Sequence, residues 1–194
     1  MTLGELIGPM LGADEGFIYA RGSGSEDGEQ REEVYARCGD SQALVRSDGV
    51  THVTTDAGSQ TFVNGRLVDE GSPQSFRLGH TDTLLHPRHM YVWGRNGEDW
   101  RLTEDLKPLD DGTVEVVLQS TERQDSGLLV VDPASGRVQH ASFGGLRWTI
   151  DVVIDDPTEV PGPMNAHKKP IRAILRLAAA REKERASAGE SACS

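Results

Sequence analysis

Four side chains within ten residues, His80, Asp82, His86 and His89, are of the types that hold zinc or another divalent metal through imidazole nitrogen and carboxylate oxygen. His86 and His89 stand three apart, so one helical face would present both. Pro87 lies between them and shortens any helix there, and no fourth ligand follows at a metal-site spacing. A metal site needs several donors converging in space. The four residues therefore stand as the metal candidate, and with it a metal-assisted hydrolase, against the simpler reading of surface or hydrogen-bonding histidines. His52, His140 and His167 are isolated.

No other nucleophile or acid–base pair has a recognisable frame. Ser23 and Ser25 sit among glycines but miss both the nucleophile elbow and the dinucleotide fingerprint. Asp110-Asp111 and Asp155-Asp156 are adjacent residues at turns, which point apart. Cys38 and Cys193 form no CxxC, and no histidine is spaced beside Cys38. The expectation is a non-enzyme with no catalytic residue and no cofactor.

Apolar chemistry is better marked. Trp93, Trp100 and Trp148 fall on or beside strand-like segments, and indole suits a core or the lining of a ligand cleft. Val114, Val116 and Leu118 share one face of a strand, and Trp148, Ile150, Val152 and Ile154 share one face of another. Trp93, Trp100, Val116, Leu118, Trp148, Ile150 and Val152 form the expected lining for an apolar small molecule or acyl chain. A filled core is the competing use of the same pattern.

The elements that would position these residues are short and mostly strands. Thr2 caps a helix whose apolar positions are Leu3, Leu6, Ile7 and Leu11. Gly22 to Glu29, with three glycines and no periodicity, reads as a flexible loop. Strand signals follow at 34–37, 43–46, 50–55, 61–63 and 66–68, with Asp48-Gly49 and Asn64-Gly65 as hairpin turns. Gly79 to Met90 predicts a short helical crossover limited by Pro87. Strands return at 99–103, 113–119, 127–131, 137–143 and 147–154, with Asp132 to Gly136 as a turn between two of them. Pro157, Pro161, Gly162 and Pro163 end the sheet. A helical stripe of Ile171, Ile174, Leu175 and Ala178 among arginines comes next, and the last dozen residues should fray.

The chain has 194 residues and a formal charge of minus 11, unevenly spread. Residues 166–194 carry seven basic and three acidic side chains, while the preceding body holds 13 basic and 28 acidic, a net of minus 15. That body would repel a phosphate backbone, so no nucleic acid is expected. No apolar run approaches the length of a membrane helix, and the first residues lack a secretory signal, so a soluble cytoplasmic protein is expected. The basic helix supplies a surface for a protein partner, or docks onto its own acidic body.

About nine or ten antiparallel strands, an N-terminal helix and a helical plug between two strand halves suggest a mainly β (α+β) fold, a curved antiparallel sheet or incomplete barrel with covering helices. This layout resembles the LolA-like fold of outer-membrane lipoprotein carriers, mycobacterial lipid-carrying lipoproteins and the sensor domain of certain anti-sigma regulators. It is more specifically similar to small unsecreted actinobacterial members. The resemblance spans about residues 33 to 160 and rests on four stretches: Arg46 to Gly49, Thr83 to Pro87, Leu129 to Val138 and Trp148 to Pro157. It implies a half-barrel over residues 1–163, followed by a basic helix and flexible tail over 164–194. It further implies a concave side able to hold an apolar ligand. The alternative is a regulatory protein-interaction module on the same fold with its interior filled.

Overall fold

The computed structural model describes residues 1–12, 16–72 and 79–191, the last four of them by backbone alone. Helix α1 (Leu3–Leu11) is followed by strands β1 (Phe17–Glu26), β2 (Glu29–Cys38), β3 (Ser41–Arg46), β4 (Val50–Thr55), β5 (Gly58–Val63) and β6 (Arg66–Gly71). Helix α2 (His80–Leu85) and a 3-10 turn (Pro87–His89) then lead to β7 (Trp100–Pro108), β8 (Val114–Ser120), β9 (Ser126–Val131), β10 (Val138–Phe143) and β11 (Leu146–Ile154). Helix α3 (Lys169–Ser191) ends the chain. The strands hydrogen-bond in the order β6-β5-β4-β3-β2-β1-β11-β10-β9-β8-β7. The fold is therefore mainly β, an open antiparallel sheet of eleven strands not closed into a barrel, with a few helices.

The chain divides into two compact units. Unit 1 is drawn from Met1–Asp14, Gly22–Glu32 and Leu78–Asp151, and unit 2 from Glu15–Arg21, Glu33–Arg77 and Val152–Ser194.

In unit 1 the period-two pattern of β8 is realised directly. Val114, Val116 and Leu118 are buried and meet Leu129 and Val131 of β9, Val138 and Ala141 of β10 and Trp148 of β11. Leu6 and Met10 of α1, Leu84 of α2, and Met90 and Val92 close this face. Each large side chain buried here contributes about 1.5–3 kcal/mol. The start of α1 is fixed by a reciprocal capping box: Thr2 Oγ1 accepts from Glu5 N–H at 3.3 Å, and Thr2 N–H donates to Glu5 Oε2 at 2.7 Å.

In unit 2, α3 lays Ile171, Ile174, Leu175 and Ala178 onto Tyr19, Ala36, Cys38 and Ala43. The helix runs to Ser191, further than its apolar stripe alone predicts, because the Ala, Glu, Lys and Arg residues that follow are strong helix formers. The β5–β6 turn is type I′, with Asn64 at φ 51° and Gly65 at φ 79°.

The stretch Gly22 to Glu29, expected as a flexible loop, is instead the far end of β1, a two-residue turn and the start of β2. Asp27 at φ 51° and Gly28 at φ 86° make that turn. The glycines before it are packing devices. A Cβ on Gly22 would lie 2.6 Å from both Thr81 Oγ1 and Trp148 Nε1, and one on Gly24 would collide with the Arg147 carbonyl. Glycine is what lets β1 approach so closely.

Candidate functional site

The four candidate metal ligands do not converge. His86 Nδ1 is 3.0 Å from Asp82 Oδ1, both side chains being buried. His80 Nε2 turns to Glu26 Oε2 at 3.3 Å, and its ring lies 4.8 Å from that of Trp148. His89 Nε2 accepts from Arg88 Nε at 3.1 Å. Among the described residues no three His, Cys, Asp or Glu side chains are grouped to hold a metal ion. The local spacing put the donors on one short segment, but α2 ends at Leu85 and Pro87 opens a separate 3-10 turn, and each imidazole takes a different partner.

These contacts organise the α2 side of unit 1. Trp148, fully buried, donates from Nε1 to Thr81 Oγ1 at 3.2 Å, so the indole is fixed to α2 at the place where Gly22 passes. Glu26 also accepts from Arg31 at 2.7 Å. Partial burial pushes the Glu26 carboxyl up, but His80 and Arg31 outweigh it and hold it below its ordinary value. His140 is held below its ordinary value by burial first and by the Arg147 cation second.

The residues expected to line an apolar cleft take three kinds of place. Val116, Leu118 and Trp148 are completely buried within the unit 1 cluster. Trp93, Trp100 and Ile150 are partly buried and pack against it. Val152 is half-buried and belongs to unit 2. Trp93 Nε1 donates to the Pro87 carbonyl at 3.1 Å.

Described residues of unit 1 line two sizeable cavities. One, about 400 Å³, is lined by Pro9, Met10 and Gly12 of the α1 end, Leu85 and Pro87 of the α2 end, and Ala134, Ser135 and Arg137 of the β9–β10 turn. It adjoins the core directly, since Met10 belongs to the apolar cluster. Its outer wall is a hydrogen-bonded turn. Asp132 accepts from Ala134 N–H at 2.9 Å and from the Ser135 hydroxyl at 2.7 Å. Burial raises the Asp132 carboxyl, and those two donors together with the Ser135 N–H and the Arg137 cation outweigh it and hold it below its ordinary value. Gly136, at φ 72°, is pressed so closely on Pro9 that no Cβ fits. The other cavity, about 720 Å³, lies at the β8–β9 turn beside Trp100. The polar run Ser120 to Ser126 that walls it carries no motif, and only the strand signals on either side mark it as a turn.

No protein-family model matches the chain. No curated protein matches it either. Among solved structures it is similar to the crystal structure of MucB, with a TM-score of 0.39 and 13% identity over 85% of this chain and 62% of that one. The chain thus spans less than two thirds of the length of MucB as solved.

Proposed function

We propose that the protein is a non-catalytic binding protein that takes an apolar small molecule or acyl chain into unit 1, under the α1 end, on a sheet of the LolA-like kind. The observation that carries this is the 400 Å³ cavity between the ends of α1 and α2 and the β9–β10 turn. It falls within the range of about 300–1,000 Å³ usual for small-molecule sites. Pro9, Met10, Leu85, Pro87 and Ala134 supply the apolar part of a lining that is polar over more than half of its surface, Arg137 adds one cation, and Met10 joins it to the buried cluster. The layout behind the resemblance is present too: α1 precedes the strands, and α2 stands between β6 and β7.

A second reading, a protein-interaction module with a filled interior, is favoured by the complete burial of Val116, Leu118 and Trp148 beneath Leu6, Met10 and Leu84. In that case α3 meets a partner through its arginine face, because its apolar stripe is already spent within unit 2.

Filling the cavity separates the two. Ala134→Trp, at an exposed turn position, should abolish uptake of a fluorescent fatty acid by the carrier while leaving the fold intact by circular dichroism. Uptake unchanged in that variant contradicts the site, and no uptake by the wild type supports the interaction module.

A further inference from the structure

We propose that the 720 Å³ cavity at the β8–β9 turn is a second, independent site, and that it takes a neutral polyhydroxylated ring, a sugar unit. Its wall mixes one aromatic side chain with donors and acceptors: Trp100 beside Asp99, Glu122, Arg123, Gln124 and Asp125.

The cavity is built before any ligand arrives. Ser120, buried, accepts from the N–H groups of Glu122 and Arg123 at 3.3 and 3.0 Å, and its own N–H donates to the Asp125 carbonyl at 3.0 Å. Thr121 ties the turn to the residues just before β7, donating from N–H to the Asp99 carbonyl at 2.8 Å and from its hydroxyl to the Glu98 carbonyl at 2.9 Å. Backbone and small hydroxyls thus hold the turn. The long polar side chains at its rim are not used for that purpose.

Trp100 differs from the other two tryptophans. Trp93 and Trp148 spend their indole N–H groups on Pro87 and Thr81, whereas Trp100 Nε1 has no acceptor among the described residues. That N–H is not among the buried unpartnered polar atoms, so water reaches it and a ligand hydroxyl would replace that water. The ring is braced by Phe143, with centroids 5.5 Å apart, and Gly144 lies against its pyrrole edge. A Cβ there would stand 3.3 Å from Nε1 and 3.6 Å from Cζ2, so a side chain at this position would crowd the edge that glycine leaves clear.

The donor and acceptor set selects the ligand class. Three carboxylates against one guanidinium repel a phosphate or carboxylate. A metal ion is not served, since no three ligating groups are placed together among the described residues. An acyl chain would strand the polar lining. An organic cation would satisfy Asp99, Glu122 and Asp125 but leave the donors of Trp100, Arg123 and Gln124 without acceptors. Hydroxyl groups both donate and accept, and the C–H face of a pyranose stacks on indole.

The test is saturation-transfer NMR, with calorimetric titration, of the full chain against the methyl glycosides of glucose, mannose, galactose and N-acetylglucosamine, with butylamine and phenyl phosphate as charged controls. Two variants accompany it. Trp100→Phe keeps a ring against Phe143 but removes the N–H, and Gln124→Ala combined with Asp125→Ala touches only exposed side chains. At least one glycoside should bind saturably, and each variant should weaken it about tenfold or more, the Gln124→Ala/Asp125→Ala protein with an unchanged melting temperature. Binding of none of the four glycosides, binding that both variants leave intact, or preference for butylamine would each overturn the assignment.

Discussion

Replacing Gly24 by alanine should damage unit 1 severely, because the atoms in its way are backbone. The new Cβ would overlap the Arg147 carbonyl of β11 and press on Trp148 Cα at 2.7 Å, and neither can rotate aside as a side chain would. Overpacking of this kind costs about 1–3 kcal/mol, and displacement of a strand places Gly24→Ala at the upper end. A protein of this size loses about 2–4 °C of melting temperature per kcal/mol, so the expected drop is about 6–12 °C. All three tryptophans lie in unit 1, so selectively excited tryptophan fluorescence follows this unit. Gly4→Ala is the control of opposite sign. Its Cβ meets nothing closer than Thr2 Oγ1 at 3.9 Å in the first turn of α1, and alanine there should gain about 0.5–1 kcal/mol. A Gly24→Ala protein melting within about 1 °C of the wild type would refute the view that these glycines exist for close strand approach.

Three further outcomes follow from named contacts. Ile171→Ala should cost about 2–5 kcal/mol and release α3, read as faster amide hydrogen exchange along the helix; unchanged exchange would show that the stripe does not hold it. Glu26 has a lowered carboxyl pKa in the folded state, so its contribution is present above the ordinary value of 4.5 and is lost as pH falls through the lowered value. Glu26→Gln should therefore flatten the decline of unit 1 stability below pH 4.5, and an identical acid limb in the variant would contradict the pairing with His80 and Arg31. Gly65→Ala meets no atom within 4 Å but forces φ 79° on a residue with a Cβ, so about 1 kcal/mol should be lost from unit 2 through backbone strain alone.

Much of the fold was legible where the signal is periodic or a turn has a mechanism. Val114, Val116 and Leu118 alternate and are buried, Asn64-Gly65 makes the type I′ turn, Thr2 caps α1, and Ile171, Ile174, Leu175 and Ala178 form the docked stripe. What failed was the reading of Gly22 to Glu29. Glycine in a strand and glycine in a loop look alike until the neighbour that requires it, here Arg147 and Trp148, is known. The histidine cluster stayed open between metal ligands and hydrogen-bonding histidines for the related reason that sequence spacing does not show competing partners. Glu26 and Arg88, which take His80 and His89, carry no metal-site signal. The two cavities were illegible because their walls come from distant turns: Pro9 with Ala134 in one, Trp100 with Asp125 in the other.

The most direct measurement of the binding role is native mass spectrometry of the intact protein, purified gently and then exposed to a mixture of fatty acids and phospholipids, followed by organic extraction. A discrete mass adduct that extraction removes, and that Ala134→Trp prevents, is the predicted result. A bare protein mass after exposure to the mixture would contradict the carrier reading.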